Sequence, residues 1–552
     1  MKWVGANRNL ESFLSRSILA NVVLFIFSLL LLTPLLAVTG SGFWGLVQWI
    51  KLPERGIPLE LFIDYARNSL IVLAGSAMLA LIWGFVSAYL CARFEFVLRK
   101  QVQILAMLPL ATPAYLVAYA WVDGLIDWGV PGGLLRTMPM ACIILGFTLV
   151  PYVFLPTYGS LAAISRSMVE VGKLAGLGAV RSIISIELPL VYPALVGSTL
   201  LVGMEVLTDF GTVDYLAIDT WSTGIYRSWY GHADFSRASF LSLVLLLVSV
   251  ALVTLDFWVR RSKRVAAMSK NSKLAQRTPL SGLRAGFAIL ILAMPAILVC
   301  IIPLGSMSVR FLKSSSIDRV DVHSLVRAAI HSLGLAFGGA CLVLVVGIAV
   351  AALGRWNTNA IKKLITRLAG LGYALPGGVL AIGLVLVLGP IGLGGTIAGI
   401  LIAYLIRYLT IGSSTVAAAW ERIPLHLEEQ ARILGQAPSR VFLTVSFPLM
   451  KQSLGCAFAI SALDMLKELP ATMILRPFNF ETLSIVTYNL ASDERLLAAS
   501  PAAILLVLMC MFALGAAYWL GAFGFSTPSQ TKDTQIQAQL QSEMVERTCR
   551  SE

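Results

Sequence analysis

Charge is scarce in this chain: only 13% of its 552 residues are Asp, Glu, Lys or Arg, against 58% apolar residues. With a mean hydropathy of +0.82, the apolar share exceeds the roughly 45–50% of soluble domains and excludes water as the main solvent. A GxxxxGK[ST] phosphate loop is also missing, so the chain does not bind and hydrolyse ATP by that device. The seven cysteines, Cys91, Cys142, Cys300, Cys341, Cys456, Cys510 and Cys549, form no CxxC or Cys/His cluster and read as small apolar fillers. The four histidines, His232, His323, His331 and His426, have no ligand spacing, so no stable metal site is expected. No convergent nucleophile, base or metal set can be assembled, which argues against a membrane-embedded enzyme.

What the chain does have is apolar runs of about 20 residues, the length that crosses a bilayer as a helix. They fall near 18–38, 67–91, 103–126, 138–158, 190–212 and 239–259, then 285–307, 328–353, 366–389, 392–418, 449–471 and 498–522. The expected fold is therefore all-α and polytopic, with about twelve transmembrane helices. The first run follows Lys2, Arg8 and Arg16 and is long enough to be a retained span rather than the core of a signal peptide.

A net charge of +13 would point to nucleic acid in a soluble protein, but here the basic residues sit in short gaps between apolar runs. Arg260, Arg261, Lys263, Arg264, Lys270, Lys273, Arg277 and Arg284 form a stretch without one Asp or Glu, cytoplasmic by the positive-inside rule. Arg93, Arg99 and Lys100, and later Arg355, Lys362, Lys363 and Arg367, fall on that side too if the N-terminus is inside. Lipid, not nucleic acid, is the expected surrounding, with both termini cytoplasmic.

The chain also repeats itself. Asn68-Ser69-Leu70 faces His331-Ser332-Leu333 and Pro113 faces Pro376 at a common offset of 263, the distance from Asn68 to His331. Glu170 to Gly176 faces Glu429 to Gly435, and Pro189 faces Pro448, at 259. Chance alignment of apolar runs would not reproduce these Glu, Gly and Pro positions, so two six-helix repeats in one orientation are expected. The boundaries read as 1–260 for the first repeat, 261–284 for a basic linker, 285–523 for the second repeat and 524–552 for a polar cytoplasmic tail.

Between the fourth and fifth spans of each repeat lies one copy of a polar loop. The first carries Glu170-Val-Gly-Lys-Leu-Ala-Gly176, Arg181 and Glu187-Leu-Pro189; the second carries Glu429-Gln-Ala-Arg-Ile-Leu-Gly435, Arg440 and Phe447-Pro448. The spacing predicts a short amphipathic helix stopped by a glycine at positive φ, with a second helix beginning near Pro438 or its counterpart Ala179. These loops resemble the EAA loop of the binding-protein-dependent ABC importer permeases, in which Glu-Ala-Ala is followed by a Gly six residues after the Glu and a later Leu-Pro. That resemblance implies a type I importer permease whose loops dock on a separate ATPase dimer, with Glu170, Gly176, Glu429 and Gly435 at the two docking sites and Arg181 and Arg440 as partners for acidic ATPase residues. ATP would then be used by that partner, and no cofactor by this chain. The first copy departs from the pattern with Val171-Gly172, and Gln452 stands where the first copy has Pro193.

Two spans carry charge at a cost of about 2.5–3.5 kcal/mol per group at a helix centre. Glu205 and Asp209 share one helix face, Asp464 and Glu468 share another, and the pairs coincide at the offset of 259. They would face a lumen or each other. Two readings are open: the four carboxylates and Lys467 line or gate a translocation path, or they pair with Lys467 and cap helix breaks at Gly211 and Pro470.

Residues 204–226 and 467–476, followed by Arg476-Pro-Phe-Asn479 and Ala491-Ser-Asp-Glu494, are similar to the fused ferric-iron importer permeases over nearly the whole chain. The resemblance implies a bacterial inner-membrane permease fed by a periplasmic binding protein, with thiamine, polyamine and phosphonate permeases as related alternatives. Trp221, Tyr226, Trp229, Tyr230 and Tyr488 would meet that protein or form an interfacial belt. An ion-coupled carrier using the four carboxylates is the rival of another class.

Overall fold

The computed structural model describes residues 29–51, 56–164, 178–262, 277–313, 321–356 and 375–522, with the isolated positions 174 and 372. The start of the expected first span, most of the basic linker, the tail from 524, and the first loop's Glu170 and Gly176 lie outside the described residues.

Among the described residues, nine helices are long and apolar enough to cross a membrane. They are Leu29–Lys51, Leu59–Arg93, Val180–Thr208, Phe235–Val259, Gly282–Lys313, Val322–Ala352, Ile397–Glu421, Ser439–Leu466 and Leu496–Trp519. Two bent pairs raise the number to eleven: Arg99–Ala111 with Ala114–Asp127 at 93°, and Met138–Thr148 with Val150–Ala162 at 40°. Proline explains both bends. Pro113 is extended (φ −62, ψ 137) and caps the helix that follows, and Pro151 sits in the first turn after the second break. The remaining expected span, the ninth in chain order at 366–389, holds Gly377–Leu388, whose 12 residues rise roughly 18 Å, short of the ~30 Å hydrocarbon core. Residues 357–371 and 373–374, ahead of it, are among those not described.

The two halves repeat each other down to single hydrogen bonds. Thr220 caps the helix Trp221–Tyr226 by accepting from the Thr223 N–H, and the Trp221 N–H donates to Ser69 Oγ at 3.0 Å. Thr482 caps Leu483–Ser492 by accepting from the Ile485 N–H, and the Leu483 N–H donates to Ser332 Oγ at 2.8 Å. Ser69 and Ser332 belong to the triplets that align in sequence. Pro376 caps Gly377–Leu388 in the same extended conformation as Pro113, and π-helical turns at Ile183–Glu187 and Phe442–Ser446 occupy matching places.

One apolar core runs through both halves. The helix Leu59–Arg93 packs on Met138–Thr148 and Val150–Ala162, and Val322–Trp356 packs on Ile397–Glu421. Large apolar side chains such as Phe337, Phe512 and Trp519 face outward, which costs little when the solvent is lipid rather than water.

Candidate translocation path and docking loop

The central site is made by two matched helix breaks. Leu188–Thr208 ends where Asp209 leaves the helical region, and the Asp209 carboxylate then accepts from the Thr212 N–H at 3.0 Å and its hydroxyl at 2.9 Å. The chain restarts as a helix at Gly211. In the other half Phe447–Leu466 ends just before Pro470 restarts the chain, and Glu468 Oε1 accepts from the Ala471 N–H at 3.2 Å. Asp209 and Glu468 therefore satisfy amide donors that a helix start would otherwise leave unpaired.

Glu468 has further partners. Arg407 Nη1 donates to its Oε1 at 3.0 Å and the Tyr408 hydroxyl to its Oε2 at 2.9 Å, with all three residues buried. Asp464 pairs with Lys467 at 2.9 Å, and Lys467 also donates to the Leu110 carbonyl at 3.3 Å, crossing from the second half to the first. Glu205, Asp209, Asp464, Lys467 and Glu468 all line one cavity of about 110 Å³, joined by Arg407. The cavity has room for several waters. Its walls carry four carboxylates against two cations, oxygen donors of the kind hard cations prefer. Among the described residues no three His, Cys, Asp or Glu side chains are grouped to hold a metal ion.

Arg407 was not singled out from the sequence. Its signal was there: a lone arginine in the apolar run 392–418, where an ionisable side chain needs a partner.

The second loop forms the helix Leu425–Ile433. It ends as a Schellman motif, with Gly435 at φ +81, its N–H on the Arg432 carbonyl and the Gln436 N–H on the Ala431 carbonyl. Glu428 and Ala431 are buried, whereas Glu429 and Arg432 face out and Ile433 and Leu434 are 84% and 81% exposed. Arg440 is exposed on the next short helix, Pro438–Val441. Arg181 is exposed at the matching place, in Ala179–Ser182. An outward face that mixes charge with two bare aliphatic side chains is unlike a solvated surface and fits burial against another chain.

The outer aromatic group is corrected by the structure. Trp221 and Tyr488 are each only 5% exposed, too buried either to meet a partner or to form a belt. The Tyr488 hydroxyl donates to Asp214 at 2.7 Å and its ring lies 5.4 Å from Phe210, so this cluster seals the contact between the halves. Tyr226 and Trp229 are half-buried, and Tyr230 alone of the five is exposed.

Residues 80–302 match the family described as the binding-protein-dependent transport system inner membrane component. The chain is 26% identical over 479 residues to the Fe(3+)-transport system permease protein FbpB 2 of Haemophilus influenzae, covering 84% of this chain and 90% of that one. Residues 80–302 thus carry the membrane component of a binding-protein-dependent transport system. The sn-glycerol-3-phosphate transport system permease protein UgpA of Yersinia enterocolitica is 28% identical over 280 residues. That match takes 43% of this permease and 94% of the relative, so nearly all of the relative lies on less than half of this chain. UgpA of Escherichia coli is 26% identical over 252 residues, 40% of this permease and 82% of its own length. The permease is thus a multi-pass inner membrane protein whose family works with an ATPase and a binding protein.

Proposed function

We propose that this permease imports ferric iron delivered by a periplasmic binding protein, with an ATPase dimer docked on its two loops. The observation that carries the cargo assignment is the central cavity, where Glu205, Asp209, Asp464 and Glu468 outweigh Arg407 and Lys467. Such a lining attracts a cation and repels a phosphate ester, and the Haemophilus influenzae relative, matched across most of both chains, is named for Fe(3+).

In this reading the repeats comprise 1–260 and 285–523, joined by a basic cytoplasmic linker at 261–284 and followed by a cytoplasmic tail, with the N-terminus inside. The loop centred on Glu170, Gly176 and Arg181 and the loop centred on Glu429, Gly435 and Arg440 receive one ATPase subunit each. Closure of the ATPase dimer swings both loops and moves the interface between the repeats from inward to outward access, so alternating access is driven from outside the chain. Lys467, tied to Asp464 on its own half and to Leu110 on the other, closes the path between them. The chain holds no cofactor and hydrolyses no ATP itself; the ferric ion is its cargo.

Uptake into vesicles bearing the permease, its ATPase and its binding protein tests the cargo. Labelled ferric iron should accumulate, while thiamine, putrescine and glycerol 3-phosphate should not. Accumulation of one of those three instead of iron would sink the iron assignment and leave the permease standing.

A further inference from the structure

Each half ends its second span in a buried or nearly buried arginine, Arg93 and Arg355, 262 positions apart. Both meet a buried carboxylate, but not the same one. Arg93 Nε donates to Glu187 Oε2 at 2.8 Å. At the offset of 259 the counterpart of Glu187 is Ser446, and Arg355 instead faces Glu428, whose own counterpart is Val169. The acidic partner has moved from the helix that follows the loop onto the loop helix itself.

Around Glu428 the contacts are dense. It accepts from Arg355 Nε at 3.3 Å, Trp420 Nε1 at 2.7 Å and Ser446 Oγ at 3.0 Å. Arg355 also donates to the carbonyls of Trp420 at 2.5 Å and Ile423 at 2.9 Å, the latter just before the loop helix. A buried charge held by three donors cannot slide without exposing an unpaired ion, so the loop helix and the end of Val322–Trp356 move as one body. Glu428 is adjacent in sequence to Glu429, which points the other way, so the helix is gripped on its inner face and presents its outer one.

We propose that the Arg355–Glu428 pair, with Trp420 and Ser446, is the linkage through which the second docking loop drives the helix Val322–Trp356, a linkage for which the first loop has Val169 in place of the carboxylate. Arg355 and Glu428 are positioning residues that touch neither cargo nor ATP, and the inference rests on the importer reading above. The two loops are then mechanically unequal: the second pulls directly on its second span, and in the first half the corresponding arginine is tied to the helix after the loop.

The test moves the carboxylate. E428V leaves Arg355 without its carboxylate, and E428V/S446E recreates the first half's arrangement. Both are assembled with the ATPase and binding protein, and recovery of folded complex is measured beside cargo imported per ATP hydrolysed. E428V should lower recovery. E428V/S446E should regain recovery while cargo per ATP stays at least about fivefold below wild type, the lower end of a useful coupling. Wild-type coupling in E428V/S446E would overturn the inference, because the pair would then serve only stability. If that variant does not fold, R355K decides: it keeps an ion pair but not the fork that also holds two carbonyls, and should fold with reduced coupling, while normal coupling would overturn the inference. Loss of ATP-driven uptake in the wild type would instead strike the importer reading, so the two failures are distinguishable.

Discussion

Glu428 and Glu429 are neighbours in sequence and opposites in the fold, one buried and the other facing out. The loop motif singled out Glu429, whereas Glu428 has no signal until the partners of Arg355 are in place. Arg407 is the same case in the membrane: the four carboxylates were legible as intramembrane charge, but the cation that neutralises Glu468 was hidden in a span 61 residues away. Removing one member of such a buried pair typically costs about 3–5 kcal/mol, since it leaves the other charge uncompensated. R407L should therefore lower the unfolding temperature of the detergent-purified permease sharply, and R407L/E468Q should recover part of the loss. Equal stability of R407L and wild type would show that Glu468 is not held as an ion there.

At the level of elements, turns and breaks were more legible than span limits. Gly435 was expected at positive φ from its place six residues after Glu429, and φ +81 leaves any side chain strained by roughly 1–2 kcal/mol. G435V should weaken retention of the ATPase on the purified permease without altering the unfolding of the spans, because a Cβ at that position would meet nothing within 4 Å. Retention unchanged in a pull-down would contradict a docking role for this loop. Gly377 is an opposite case: a Cβ there would fall against Arg407 and within 2.6 Å of Glu468 Oε1. G377A should therefore force the buried pair apart and reduce thermal stability, and a stability equal to wild type would show that the pair can shift at no cost. The helix breaks at Asp209 and Glu468 could be suspected from Gly211 and Pro470, but their shared amide capping is a matter of backbone geometry that composition does not encode.

For the whole molecule, the repeat was legible because Ser69 and Ser332 had to align for any apolar match to hold, and both cap-anchoring hydrogen bonds fall on them. Counting spans by apolar length gave twelve, while the described helices give nine, or eleven with the two bent pairs. The difference arises because hydropathy does not register a proline-induced bend, and because residues 357–371 and 373–374, ahead of Gly377–Leu388, lie outside the described ones. The outer aromatics misled for a related reason: a Trp or Tyr near a span end is an interface residue or a seal between repeats depending on the facing half, and Phe210 facing Tyr488 makes it a seal.

Iron uptake in proteoliposomes with and without ATP decides whether two matched repeats are moved by ATP hydrolysed on another chain. With the permease, ATPase and binding protein all present, uptake should require ATP inside the cytoplasmic face and stop when the ATPase is omitted. Uptake by the permease alone under an ion gradient would contradict the claim and return the four carboxylates to the role of a coupling-ion site.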